Sequence, residues 1–353
     1  MRKSSWILTG SAVVLMAASA VTRFTLYPDL HRIPSDADTT FHYRGTASLL
    51  NAPALQAGDS AHAFLRDLPV TLDWRVAVKD TSGETAVVLD RAVLRSRDGK
   101  QLNAARHTWA VDRRTLAERP APAGSGAERH TGLVISWPLE PEKRDYRFWD
   151  TGIRKAVPAR YMGQESVEGR DAYRYAVEAT GPLADPATLK ALPAVLPRSA
   201  VTVLAAALPA DRRPDKAVLA ALPEAVPLTY TSTTARTGWV DADTGLALNG
   251  SLHQTVLART RTPDGPVTLF PVTDVTVKGA PASVRKQAQD ASTAQRAWWW
   301  LSTGVPLGLL AAALLVTAAA VGLARRRATA DGGPAGGGGS AGDEREGAAT
   351  PAA

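Results

Sequence analysis

The chain has 353 residues, a formal net charge of +7 and no cysteine, which excludes disulfide frameworks, Cys-zinc sites and cysteine nucleophiles. Arg2 and Lys3 carry two of those charges, and the tail from Arg325 balances four arginines against four acids, leaving +5 spread over the middle. A bias that dilute does not argue for nucleic acid and suits contact with anionic lipid or polysaccharide instead.

The first element, residues 1–23, reads as a signal anchor. Its basic start is followed by an uncharged run from Ser4 to Thr22. Ala18-Ser19-Ala20 also forms an A-x-A cleavage site, so a cleavable signal peptide is the alternative. In both cases Arg2 and Lys3 stay inside and the chain emerges on the far side of the membrane.

Residues 24–180 read as the first part of an extracytoplasmic β region. In "PVTLDWRVAVKD", Val70, Leu72, Trp74, Val76 and Val78 point one way while Thr71, Asp73, Arg75 and Lys79 point the other. Period two with one polar face is a half-buried strand. "TSGE" and "RDGK" turn the chain into further strands, and Glu168-Gly169-Arg170 joins a hairpin. Residues 181–227 are rich in Ala, Leu and Pro. Because Pro breaks both regular structures, short helical turns or an apolar loop are expected there. This insertion reads either as a lid over a cavity or as a cover on a sheet. Residues 228–280 hold the second part of the β region, with strands at "LTYTSTTARTGWV", "LALNGSLHQTVLARTRT" and "PVTLFPVTDVTVKG". The fold class is therefore mainly β: an antiparallel, curved sheet, sandwich or half-barrel, flanked by two transmembrane helices.

Residues 281–297 contain good helix formers and read as a helical stalk. From Trp298 to Ala324 no residue is charged, which is long enough to span a bilayer. Arg325, Arg326 and Arg327 follow and mark the cytoplasmic side. Trp298, Trp299 and Trp300 then lie at the outer edge, where an indole is half apolar and its N–H stays wet. Residues 325–353 read as a disordered cytoplasmic tail. The expected topology is a two-pass protein of the cytoplasmic membrane with both termini inside.

The chemistry-bearing residues are sparse. His31, His42, His62, His107, His130 and His253 fall in no metal spacing, and no nucleophile elbow, P-loop or dinucleotide fingerprint is present. Asp241 and Asp243 in "WVDADTGLALNG" fit a strand–turn–strand better than a calcium loop, which needs a terminal Glu. Asn249-Gly250-Ser251 matches a glycosylation sequon. Glu140, Glu142, Asp145 and Asp150 show no spacing that singles out a catalytic carboxylate pair. No catalytic, cofactor-binding or metal residue is assigned. The most distinctive block interleaves Lys143, Arg144 and Arg147 with Tyr146, Phe148 and Trp149.

That block, "EKRDYRFWDT", together with "ARYMGQESVEGRDAYRY" and "GWVDADTG", resembles the actinobacterial PorA-type porin family, long catalogued as a domain of unknown function. The order of anchor, Tyr27-Pro28, outer domain, span and basic stop matches as well. Lys143, Arg144, Tyr146, Phe148, Trp149 and Asp150 carry the signature. The resemblance implies channel activity and brings no catalytic residues. The strands, however, mix charge onto their exposed faces, whereas a spanning barrel needs a lipid-facing apolar band. The leading expectation is a non-enzymatic envelope protein whose outer β domain binds an envelope lipid, glycan or protein partner. Its expected partners are the bilayer, anionic lipid or polysaccharide, and a second copy of itself, with no nucleic acid. Pore formation is the alternative, and an envelope-polymer hydrolase the second. The strand and aromatic pattern also resembles lipoprotein-carrier half-barrels, an analogy of fold alone.

Overall fold

Ten of the strands form one antiparallel sheet in the computed structural model, which describes residues 13–331 except 27–31, 52–53, 55–56, 58, 60–61 and 264. The first run is a meander of β1 (Asp38–Leu50), β2 (Phe64–Ser82), β3 (Thr85–Ser96) and β4 (Gln101–Asp112). The second is β5 (Tyr146–Asp150), β6 (Lys155–Val167) and β7 (Arg170–Pro182). After two short strands, β8 (Val195–Pro197) and β9 (Ala225–Pro227), the third is β10 (Thr229–Asp241), β11 (Ala247–Thr262) and β12 (Gly265–Gly279). The hairpins turn where the expected residues permit it. Between β6 and β7, Glu168 and Gly169 take φ of 49° and 76°, the left-handed pair of a tight turn that matches strand twist.

Local hairpins alone would leave three separate ribbons. Long-range pairing joins them, β1 against β12 and β7 against β10, giving the order β4-β3-β2-β1-β12-β11-β10-β7-β6-β5. The sheet curls into a half-barrel whose edge strands are β4 and β5. The connection between them, residues 113–145, is stitched to both edges. Arg119 N–H donates to Ala110 O at 3.0 Å and Glu128 N–H to Thr108 O at 2.8 Å. On the other edge Leu133 N–H donates to Arg147 O at 2.9 Å and Trp149 N–H to Leu133 O at 2.7 Å. Edge strands carry unpaired backbone groups that would otherwise template association, and this connection satisfies part of them.

The 181–227 segment folds as the short helical pieces its prolines predict. They are α2 (Pro186–Ala191), α3 (Arg198–Ala206) and α4 (Lys216–Ala220). Asp185 caps α2, accepting from Thr188 N–H at 2.8 Å, with Pro186 in the first turn, where its missing N–H costs nothing. β8 and β9 pair to close the segment on itself.

Helix α5 (Pro281–Trp299) begins where the stalk was expected but is not free-standing. Ser283, Val284, Gln287, Ala288 and Ala291 are buried, and Ala288 and Ala291 pack with Ala172, Leu248 and Trp239. Small alanines at helical spacing let the helix lie close on the sheet. Arg170 fastens it further. Its guanidinium donates to both oxygens of the fully buried Asp241, at 2.7 and 2.9 Å, and to Gln295 at 2.6 Å.

These elements belong to one unit, residues 27–299; a second unit is built from the described parts of 1–26 and 300–353. In the second unit, α1 (residues 13–21) leads into a π-helical turn at Thr22–Leu26. Ser19 Oγ donates to Pro306 O at 3.0 Å. A second π turn, Trp300–Gly304, precedes α6 (Val305–Asp331). Pro306 lacks an N–H and its ring crowds the carbonyl one turn back, which the wider turn relieves. Leu307, Leu314, Leu315 and Val321 of α6 are exposed. At 27 residues α6 measures about 40 Å, more than a hydrocarbon core of about 30 Å. Among the described residues this is the one helix long and apolar enough to cross a membrane. The other expected span, 1–23, is described only from residue 13, so two spanning helices are not both seen. Helix α6 runs through Arg325–Arg327 to Asp331, with neither Gly nor Pro between Leu323 and Asp331. The remainder of the tail lies outside the described residues.

Candidate functional site

Strand β10 shows how the concave face is organised. By alternation, Tyr230, Ser232, Thr234, Arg236, Gly238 and Val240 share one face. At the Tyr230 end, Val201 and Leu204 of α3 join Leu208, Leu222 and Val226 of the insertion. They pack against Tyr230, Val256, Ala258, Leu269 and Phe270 of the sheet. The insertion thus packs as a cover against this end of the sheet. At the Val240 end the cluster is aromatic: Trp109, Trp137, Phe148 and Tyr175 with Val88, Val111 and Val240. Trp137 stacks on Tyr175 at 5.1 Å and tilts against Phe148 at 5.6 Å. Its ring lies so close to Gly238 that a Cβ there would come within 2.4 Å.

Between these ends lies a cavity of about 200 Å³, walled by Tyr43, Trp74, Trp137, Phe148, Trp149 and Arg236 among others. The guanidinium of Arg236 sits 5.3 Å from the Phe148 ring centroid and 5.8 Å from that of Trp74, a cation–π arrangement. These rings stand on β5 and β2, remote from β10 in the strand order, so only the curl brings them together. Two carboxylates share the wall. Asp90 accepts from the indole N–H groups of Trp74 at 2.6 Å and Trp109 at 3.1 Å. Asp150 accepts from Ile153 N–H at 2.9 Å. Burial pushes the Tyr43 hydroxyl up to about 12, with Arg236 opposing. Three buried wall atoms have no hydrogen-bond partner: Trp137 Nε1, Trp149 Nε1 and Thr234 Oγ1.

The signature block divides between two places. Phe148, Trp149 and Asp150 line the cavity. Lys143 lies 5.5 Å from the Tyr173 ring. Arg144 pairs with Glu142 at 3.0 Å and covers Tyr146. Tyr146 Oη accepts from Glu142 N–H at 2.8 Å. Glu140 and Glu142 pair with Arg114 and Arg144, Asp145 accepts from Tyr161 N–H, and Asp150 holds its turn. Asp241 accepts from Arg170 and from the Thr244 N–H and hydroxyl, and so serves the turn. Of the interface tryptophans, Trp299 and Trp300 are exposed and Trp298 is half-buried. Arg325 and Arg326 are exposed, and Arg327 continues the helix. Sequence reasoning missed Arg236, Tyr43 and Trp137. The available signal was parity: Arg236 is a charge in the same register as Tyr230 and Val240.

Fold and cavity together define the class: a curled β half-barrel with a polar-and-aromatic interior, carried in one chain with an apolar helix of spanning length. The chain belongs to the Porin PorA family, whose match covers residues 4–322, the 181–227 insertion included. A Porin PorA of Corynebacterium resistens is 29% identical over 151 residues, 36% of this chain and 37% of that protein. The chain therefore spans little more than a third of that relative's length. Among solved structures, a protein described as an oleoyl thioesterase from Lactobacillus plantarum is 12% identical, over 77% of this chain and 86% of that one, at a TM-score of 0.13. One described as a MaoC-domain dehydratase from Chloroflexus aurantiacus is 13% identical, over 76% and 80%, at a TM-score of 0.13. Likeness at that level does not bear on fold or function.

Proposed function

We propose that this protein is a membrane-anchored envelope component, non-enzymatic, whose half-barrel holds an envelope lipid in its curl. The observation that carries this is the aromatic-walled cavity on the concave face, left open where the rest of that face is filled core. Ligand sites are concave, mainly apolar, and furnished with a few placed polar groups, and this cavity has that make-up. The protein is two-pass, with both termini cytoplasmic and residues 24–297 outside. The exposed indoles Trp299 and Trp300 and the arginines Arg325 and Arg326 support that orientation. Its partners are the bilayer and an anionic envelope lipid or polysaccharide, with no nucleic acid and no cofactor.

The family name favours a second reading, a pore. The outward strand positions Arg75, Lys79, Arg91 and Arg160 are exposed, which suits water rather than a lipid-facing band. Mass spectrometry of lipids extracted with the purified full chain tests the two. One lipid class enriched over a detergent blank at near-stoichiometric amount is expected. No enrichment, together with stepwise conductance in planar bilayers, would replace the lipid reading by the pore.

A further inference from the structure

On the reading that the curl holds an amphiphile, we infer that Arg236, with Thr234 beside it, grips an anionic end of that ligand. The cavity would thus select lipids bearing a carboxylate or phosphate over neutral ones. A guanidinium turned into a protein interior is costly unless an acceptor meets it. Among the described residues Arg236 has ring contacts with Trp74 and Phe148 and no hydrogen bond or ion pair. Of the two carboxylates in the same wall, Asp90 accepts from two indoles and Asp150 from the Ile153 amide, and neither pairs with Arg236. A ring contact uses none of the guanidinium's N–H donors, and their fork matches the paired oxygens of a carboxylate or phosphate.

The neighbouring polar atoms point to the same chemistry. Thr234 is 4% exposed and Trp137 5% exposed, and neither the Thr234 hydroxyl nor the Trp137 indole N–H has a partner. The Trp149 indole N–H is unpartnered as well. All three can donate, and an indole can only donate, so the missing partner is an acceptor. Thr234 lies two residues from Arg236 on the same strand face, about 7 Å along the strand, within the span of one head group. Leu72, Leu94 and Val275 supply apolar wall beside them. The cavity, at about 200 Å³, falls below the range of about 300–1,000 Å³ that encloses a drug-sized ligand. It would take a head group and the start of one chain rather than a branched glycan.

Calorimetry on the full chain in nanodiscs, with empty discs subtracted, tests this with octanoate, octyl phosphate, 1-octanol and inorganic phosphate. The wild type should bind octanoate or octyl phosphate roughly tenfold or more tighter than octanol, the size of one charge-assisted contact. Arg236→Gln should remove that preference and leave octanol unchanged, Arg236→Lys should restore part of it, and Thr234→Val should lower anion affinity a few-fold. Equal binding of octanol and the anions would overturn the inference while sparing the cavity. So would an equal loss of all ligands in Arg236→Gln, which would make Arg236 a balance for Asp90. Inorganic phosphate binding as tightly as octyl phosphate would make the site one for a free anion. No binding of any ligand would remove the cavity reading itself. Melting curves accompany each variant, and Arg236→Met stands in if Arg236→Gln does not fold.

Discussion

The two ends of the same trough solve burial differently. At the Tyr230 end the insertion contributes aliphatic side chains of graded size, and Val201, Leu204, Leu208 and Leu222 close up against the sheet. At the Val240 end the fill is indole and phenol rings, held at 5 to 6 Å separations with Trp109 and Tyr175 fully buried. The tyrosine and tryptophan rings also bring O–H and N–H groups that need partners when buried. The cavity lies beside these rings, and polar residues on β10 stand between it and the aliphatic end. On the proposed lipid-holding reading, only the aromatic end receives the ligand.

Cutting the aliphatic end should have the largest effect. Leu204→Ala, at a fully buried position, should cost about 3–4 kcal/mol through lost transfer energy and a new void. A denaturant melt would measure it, and ligand affinity should be unchanged. A variant that loses binding in proportion to stability would show that the two ends are not independent.

Gly238→Ala acts at the other end. The added methyl meets Trp137 at 2.4 Å, so the ring must move or the strand shift, at about 1–3 kcal/mol. Here binding should change along with stability, since Trp137 walls the cavity. An unaltered affinity would sever the link between aromatic packing and the site.

The smallest effect concerns the stitch beside the aromatic end. Asp112 closes β4 and accepts from Arg114 N–H and Thr115 N–H, each at 2.9 Å, and from Arg119. Burial pushes its carboxyl up, but the backbone N–H groups of Thr115 and Arg114 and the Arg119 guanidinium outweigh this and hold it at about 2, below the usual 3.8. A depressed carboxylate stabilises the fold above its unfolded pKa and loses that contribution as pH falls through the folded one. Stability worth at most about 2 kcal/mol should therefore fade between pH 4 and pH 2, and Asp112→Asn should flatten that part of the profile. Amide exchange should open first at residues 113–119, with the Leu204 end still protected.

How much of this was legible beforehand depended on range. β2, β10, β11 and β12 were readable because alternation is local, and the turns at Gly83, Gly99 and Gly169 because positive φ selects glycine. β1 escaped notice, since Gly45, Thr46, Ala47 and Ser48 form a run too small and mixed to show a period. The signature block stood out as aromatic and basic, yet nothing in its spacing separates Phe148 and Trp149, which wall the cavity, from Lys143 and Arg144, which cover tyrosines outside it. Arg236 was the hardest, because its role depends on Trp74 and Phe148, both far away along the chain.

By itself the sequence determined the strand periods, the hairpin turns, the broken helices of the proline-rich insertion and the uncharged helix that ends in arginines. Each is a property of a few neighbouring residues and of the solvent they prefer. Only the tertiary structure decided that β1 joins β12 and β7 joins β10, that residues 113–145 bind both edges, and that the insertion fills one end and leaves the other open. Those outcomes depend on curvature summed over ten strands, and curvature decides which distant side chains share a space.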